Sequence, residues 1–189
     1  MNAGPLFPPP FRGGLGGGCL SSKPVAVDPI VYTTCWPVRH YELDRNGHVN
    51  NAVYLNYAEQ LTIEHAELAG FGAEWSAARG GWWVVHRSVA TYHRPAVYGD
   101  LLELTVRVEL VQGTRGIRRT TIKRARDGEP IAEVLTEWVW VRSGDGRPAR
   151  APEELVEVAR EATAETLRRH PGYLADLRRA SATAPNSRS

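Results

Sequence analysis

The chain has 189 residues, 42% of them hydrophobic and 23% charged, with a formal net charge of +2. That length suits one globular domain with terminal extensions, able to bury about two thirds of its unfolded surface without disulfide staples. Near-zero charge, with Arg interleaved among Glu, excludes the basic block of a nucleic-acid binder, and no stretch approaches the roughly 20 apolar residues that cross a bilayer. Two cysteines in unrelated settings, Cys19 and Cys35, exclude a cysteine zinc site and suit a reducing compartment. The expectation is a cytoplasmic protein with no metal, no nucleic-acid partner and no membrane span.

Residues 1–29 hold six Gly and six Pro, a composition that builds no core, so a disordered leader is expected there. The folded unit is read as 30–175, with 176–189 a flexible tail. Ile30 to Val38 has the β-branched and aromatic content of a strand and runs into a polar turn at Asp44-Arg45-Asn46-Gly47. Beyond it Tyr54, Tyr57, Ala58, Leu61, His65 and Leu68 fall on one helical stripe, stopped at Gly70, with Asn50 or Asn51 where an N-cap belongs. His65, on the stripe itself, reads as a packed core imidazole.

Strands are then expected over Trp82–Tyr92, Leu102–Leu110, Gly116–Arg124 and Ile131–Val141, the last two joined by a turn at Asp127-Gly128. Both faces of the final strand are partly apolar, which predicts one face on the helix and part of the other against a second copy of the chain. Pro152 opens a charged helix over Glu153–Arg169. A strand, a helix, an antiparallel meander and a closing helix make an α+β fold whose sheet can curl around the first helix.

Chemistry concentrates before that helix, in Arg39-His40-Tyr41-Glu42-Leu43-Asp44-Arg45-Asn46-Gly47-His48-Val49-Asn50-Asn51-Ala52-Val53-Tyr54-Leu55. A helix start offers free N–H groups that can hold a developing oxyanion, and Asp44, one loop away, can deprotonate water or attack a carbonyl carbon. Turn and cap hydrogen bonds are the other use of the same side chains.

This segment resembles the signature of hotdog-fold acyl thioesterases of the 4-hydroxybenzoyl-CoA and fatty-acyl type. Tyr92-His93-Arg94-Pro95-Ala96-Val97-Tyr98-Gly99-Asp100 resembles the family's second turn and Gly146-Arg147-Pro148 its closing hairpin, so the similarity covers about Tyr32 to Leu155. The resemblance implies a hotdog fold, a curled antiparallel sheet around one long central helix plus a C-terminal helix. It also implies a homodimer, or a tetramer built from it, with active sites between protomers.

The implied reaction is hydrolysis of an acyl-CoA or acyl-carrier-protein thioester, with Asp44 as general base or nucleophile and the Asn51 backbone N–H as oxyanion donor. His48 and Asn50 would contact water or the thioester. Tyr54, Glu59, Arg94 and Arg87 are the expected substrate-binding residues, and Arg87, His93, Arg94, Arg118 and Arg119 supply positive charge for the phosphates of the thiol carrier. Coenzyme A enters only as part of the substrate, so no cofactor is expected. A hotdog hydratase or dehydratase, or a non-catalytic acyl-CoA-binding domain, are the alternatives on the same fold.

Overall fold

A computed structural model describes residues 27–173 and 175. Within it, β1 (Val31–Pro37) is followed by a 3-10 turn at His40–Glu42 and the long helix α1 (Val53–Leu68). A short helix α2 (Ala73–Ala78) precedes β2 (Gly81–Tyr92), β3 (Leu101–Gln112), β4 (Arg115–Arg124) and β5 (Pro130–Arg142). The chain closes with α3 (Glu153–Val158) and α4 (Arg160–Arg169). The five strands form one antiparallel sheet in the order β1-β3-β4-β5-β2, so the α+β architecture of a sheet around a central helix is observed.

Alternation in β3 places Leu102, Leu104 and Val106, all fully buried, against the buried stripe Tyr54, Tyr57, Ala58, Leu61 and His65 of α1. Ile122 from β4 and Ala132 and Val134 from β5 complete this core. Leu68, expected on the stripe, is exposed instead, because the helix runs out just beyond it at Gly70, whose φ of +79° suits a residue without Cβ.

A bulge between Val108 and Leu110 shifts the phase of β3. Leu110 therefore lies on the opposite face of the sheet, with Ile117 and Leu135, under Leu167 of α4 and Tyr173. Leu135, on the second apolar face of the last strand, thus packs within the chain. Thr163 Oγ1 accepts the Val111 N–H at 3.0 Å, just where β3 has run past the end of its partner β1. The helix thereby satisfies a stretch of strand edge that would otherwise be open.

Two further details differ from the sequence reading. The C-terminal helix is broken at buried Ala159 into α3 and α4, and α2 occupies a segment to which the sequence assigns no element. Trp75 of α2 packs on Trp140 and Phe71, and the Arg79 guanidinium lies 3.9 Å from the Trp75 ring centre. Cys35 is not a free thiol, contrary to the expectation of reduced cysteines. No helix among the described residues is long and apolar enough to cross a membrane. The leader read over 1–29 falls outside the described residues up to 26, as does the tail over 176–189.

Candidate active site

The segment between β1 and α1 is held at both ends before it presents any side chain. Val38 N–H donates to Asp100 O, Val49 N–H to Ala96 O and Asn50 N–H to Glu42 O, and His48 makes a backbone bridge with Val97. Asp100 itself accepts the Val97 N–H and pairs with Arg124. The Tyr92–Asp100 turn is thus the floor on which the Asp44 loop rests.

Underneath lies a polar anchor that sequence reading missed. Glu42, 6% exposed, accepts the Tyr57 hydroxyl at 2.6 Å and the backbone N–H and guanidinium of Arg39. Burial alone would raise the Glu42 carboxyl, but the Tyr57 and Arg39 donors outweigh it and hold the group below the ordinary carboxylate range. Burial and the adjacent carboxylate push the Tyr57 phenol up. The available signal was a tyrosine on the buried helix stripe, which needs a partner for its hydroxyl.

Asp44 stands exposed at the head of a tight turn. Its Oδ1 accepts the N–H of Asn46 at 2.8 Å and of His48 at 3.2 Å, while Gly47, at φ +76°, closes the turn onto Asp44 O. The Asn46 N–H above all, with that of His48, holds the Asp44 carboxyl below its ordinary range. It is therefore a carboxylate at neutral pH, and Oδ2 carries no hydrogen bond to another described residue. One oxygen is fixed and the other is available.

The N-cap position of α1 falls on Ala52, with no side-chain cap, rather than on Asn50 or Asn51; Asn50 closes an Asx turn just ahead of the helix, its Oδ1 accepting the Ala52 N–H at 2.9 Å. Asn51 is exposed, its carbonyl accepts the Tyr92 hydroxyl at 3.0 Å, and its N–H has no acceptor among the described residues. A carboxylate with one free oxygen and an unpaired N–H at a helix start thus sit on one loop, seven residues apart. The arrangement can attack or hydrate a carbonyl carbon while receiving its oxygen.

The expected substrate-binding residues are more scattered. Tyr54 is buried, in ring contact with Tyr57 and Tyr92, and burial raises its phenol; it is a wall of the core beneath the loop. Glu59 is exposed two turns down α1. Arg94 is exposed and paired with Glu129, and Arg87 lies half-buried on β2 opposite Glu137. Within one chain these three are not gathered around Asp44. Of the other arginines, Arg119 pairs with Glu109 and Glu133 on the outer face, while Arg118 points inward to His65. Among the described residues no cluster of His, Cys, Asp or Glu could hold a metal.

The family model of the thioesterase-like superfamily matches residues 38–159. Among curated relatives, the long-chain acyl-CoA thioesterase FadM of Escherichia coli is 34% identical over 104 residues, 55% of this chain and 78% of that protein. The chloroplastic acyl-acyl carrier protein thioesterase ATL3 of Arabidopsis thaliana is 30% identical over 118 residues, 62% of each chain. Among solved structures, the probable thioesterase YbaW of Escherichia coli is 31% identical, with a TM-score of 0.61 over 67% of this chain and 94% of that one. A DHNA-CoA thioesterase from Staphylococcus aureus shares the fold at 18% identity, with a TM-score of 0.64 over 75% and 95% of the two chains. The chain spans only 50% of an oleoyl thioesterase (putative) from Lactobacillus plantarum, at a TM-score of 0.64 over 69% of its own length and 22% identity. With the match running from the strand-to-helix loop through the whole sheet, the chain belongs to the thioesterase-like superfamily of hotdog-fold thioester hydrolases.

Proposed function

We propose that the chain hydrolyses an acyl-CoA or acyl-carrier-protein thioester to a free acid and a thiol, with Asp44 as general base or nucleophile and the Asn51 N–H as oxyanion donor. The observation that carries this reading is the pairing, on one rigid loop, of a carboxylate with a free oxygen and a helix-start N–H with no acceptor. The carbonyl oxygen is received at Asn51 as the C–O bond forms, the C–S bond breaks, and the thiol leaves with a proton. The peptide that carries the Asn51 N–H is held through its own carbonyl, Asn50 O, which accepts the Val53 N–H at 2.9 Å, and Tyr92 ties the next carbonyl, Asn51 O. His48 and Asn50 shape the loop through their backbone bonds and the Asn50 Asx turn. The relatives named for long-chain acyl-CoA and acyl-carrier-protein thioesters support this substrate class.

The working unit in this reading is a homodimer joined along β2. That strand is an edge of the sheet, and Trp82, Val84, Val85, Val89 and Tyr92 on it are all exposed. A long apolar edge invites strand pairing, which a second β2 satisfies. Because Tyr92 ends this edge and touches Asn51, a partner laid along β2 arrives beside the exposed Asp44 and shields it from bulk water. Glu59, Arg87 and Arg94 then have a role across that boundary, contacting substrate held by the partner.

A free-thiol release screen against short, medium, long and aromatic acyl-CoA esters and an acyl-carrier protein tests the activity. Turnover of at least one is expected, from a particle that light scattering shows to contain two or more chains. Tight binding without thiol release would instead mark a non-catalytic acyl-CoA-binding domain.

A further inference from the structure

The far end of α1 faces a second environment. Between its C-terminal half, α2, α3 and the sheet lies a cavity of about 470 Å³, lined by Ala66, Phe71, Trp83, Val108 and Val111 among other apolar residues. That volume is in the roughly 300–1,000 Å³ range of small-molecule sites. Into this apolar wall the sequence sets one guanidinium, that of Arg118.

Arg118 Nη1 donates to His65 Nδ1 at 3.1 Å, and His65 Nε2 lies 2.8 Å from Asp28 O. A carbonyl oxygen only accepts, so Nε2 carries the ring proton and Nδ1 offers its lone pair to Arg118. The imidazole is neutral: burial first, and the Arg118 charge besides, press its pKa down. Arg118 thus receives a dipole where a charge would complete it, and among the described residues no carboxylate pairs with it. Burial brings its pKa down to about 10, still protonated at neutral pH. Its sequence neighbour Arg119, on the opposite face of β4, shows the usual solution by pairing with Glu109 and Glu133.

A donor without a partner lies on the same face. Arg118 pairs in register with Thr136 and Gly116 with Trp138, so Arg118 and Trp138 are diagonal neighbours on adjacent strands. Trp138 lines the cavity, and its buried Nε1–H has no acceptor. The one carboxylate in the lining, Glu67, is exposed and caps α2 by accepting the Ala73 N–H at 2.8 Å. A guanidinium without a counter-charge and an indole N–H without an acceptor, in an apolar chamber, match an anion carried on an apolar body.

We propose that this cavity binds an apolar monocarboxylate, its carboxylate received by Arg118 with the Trp138 indole N–H as second donor and its hydrocarbon body against the apolar wall. Two sources share that chemistry: a free fatty acid, or the distal carboxylate of an acyl group whose other end is the thioester. Binding of decanoate, with decanol as the uncharged control, is measured by tryptophan fluorescence on the full chain. Decanoate should bind about ten- to a hundredfold more tightly than decanol, in line with a charge-assisted hydrogen bond in a site withdrawn from water. Arg118→Met should erase that preference and Arg118→Lys keep part of it. Should Arg118→Met not fold, Trp138→Phe keeps the ring and removes the donor, and is expected to weaken decanoate several-fold while leaving decanol unchanged. Equal affinity for acid and alcohol, or a preference that survives both substitutions, would overturn the proposal.

Comparing decanoyl-CoA with its ω-carboxy analogue separates the sources. A kcat/KM advantage of about tenfold for the ω-carboxy thioester, lost in Arg118→Met, assigns the carboxylate to the substrate. Equal turnover with retained decanoate binding assigns it to a free acid. The binding arm requires no hydrolysis, so decanoate binding by a chain that cleaves no thioester would sink the catalytic reading and leave this one standing.

Discussion

At the N-terminal end of α1 the polar groups are exposed and bonded within a few residues of themselves, Asp44 to Asn46 and His48, and Asn50 to Ala52. At its C-terminal end the polar groups are withdrawn from water and assembled from afar: His65 meets Asp28 across 37 residues and Arg118 across 53. One helix thus joins a preformed, water-facing loop suited to chemistry with a half-open, apolar chamber suited to recognition. The loop keeps its carboxylate charged by local N–H donors, whereas the chamber keeps its cation short of a counter-charge. Each end leaves groups for a ligand: at the first, Asp44 Oδ2 and the Asn51 N–H; at the second, a guanidinium without a counter-charge and the Trp138 indole N–H.

Breaking the link between the two ends should give the largest change. Leu61 is wholly buried midway along α1, and Leu61→Ala is expected to cost about 3–4 kcal/mol in denaturant unfolding, since the surrounding sheet cannot collapse onto the space. A loss below about 1 kcal/mol would mean that the helix is not seated as described. Next in size is the anchor under the loop: Tyr57→Phe leaves buried Glu42 short of its 2.6 Å donor and should cost about 1–3 kcal/mol. Thermal unfolding in Tyr57→Phe and Glu42→Gln should show both destabilised, with the double variant less than additive.

At the chamber end the effect is a pH dependence. His65 has a folded-state pKa below its unfolded value of about 6.5, so the unfolded chain binds the extra proton. Stability is then complete above about pH 6.5 and is lost as pH falls from there through the lowered folded value. His65→Gln should flatten that limb in a series of unfolding curves from pH 5 to 8. Smallest is the positioning contact, Tyr92→Phe, which removes the bond to Asn51 O. It should shift stability by less than about 1 kcal/mol while lowering kcat several-fold with KM little changed; an unchanged kcat would remove Tyr92 from the account.

The central helix was legible because its apolar stripe repeats at helical spacing over three turns, and β3 because Leu102, Leu104 and Val106 alternate with polar residues. The Asp44 loop was legible for a related reason: Asx turns and caps are local, so residue types at short spacing reveal them. What escaped depends on contacts distant in sequence. The bulge after Val108 sends Leu110 to the other face, where Leu167 of α4 packs on it, with no mark in the residues themselves. Arg118 and Arg119 are chemically identical neighbours, yet alternation sends one into the chamber and the other to two glutamates. Six residues of α2 are too few to show a helical period. Glu59, Arg87 and Arg94 gained their expected roles from a family resemblance, and a single chain does not bring them to Asp44.

The most direct test of the catalytic assignment is kcat/KM for thioester hydrolysis by Asp44→Asn beside the parent, with the thermal midpoint taken on the same samples. The substitution keeps size and polarity and removes the charge that the Asn46 and His48 N–H groups hold in place. If Asp44 is the reacting carboxylate, the rate falls by about 10²–10⁴ while the midpoint moves by only a few degrees, and the parent's activity is flat at neutral pH and fails in acid, as pH drops through a carboxyl pKa held below its usual value. An Asp44→Asn protein that melts early yet hydrolyses at close to the parent rate would contradict the account, and leave Asp44 as a turn former.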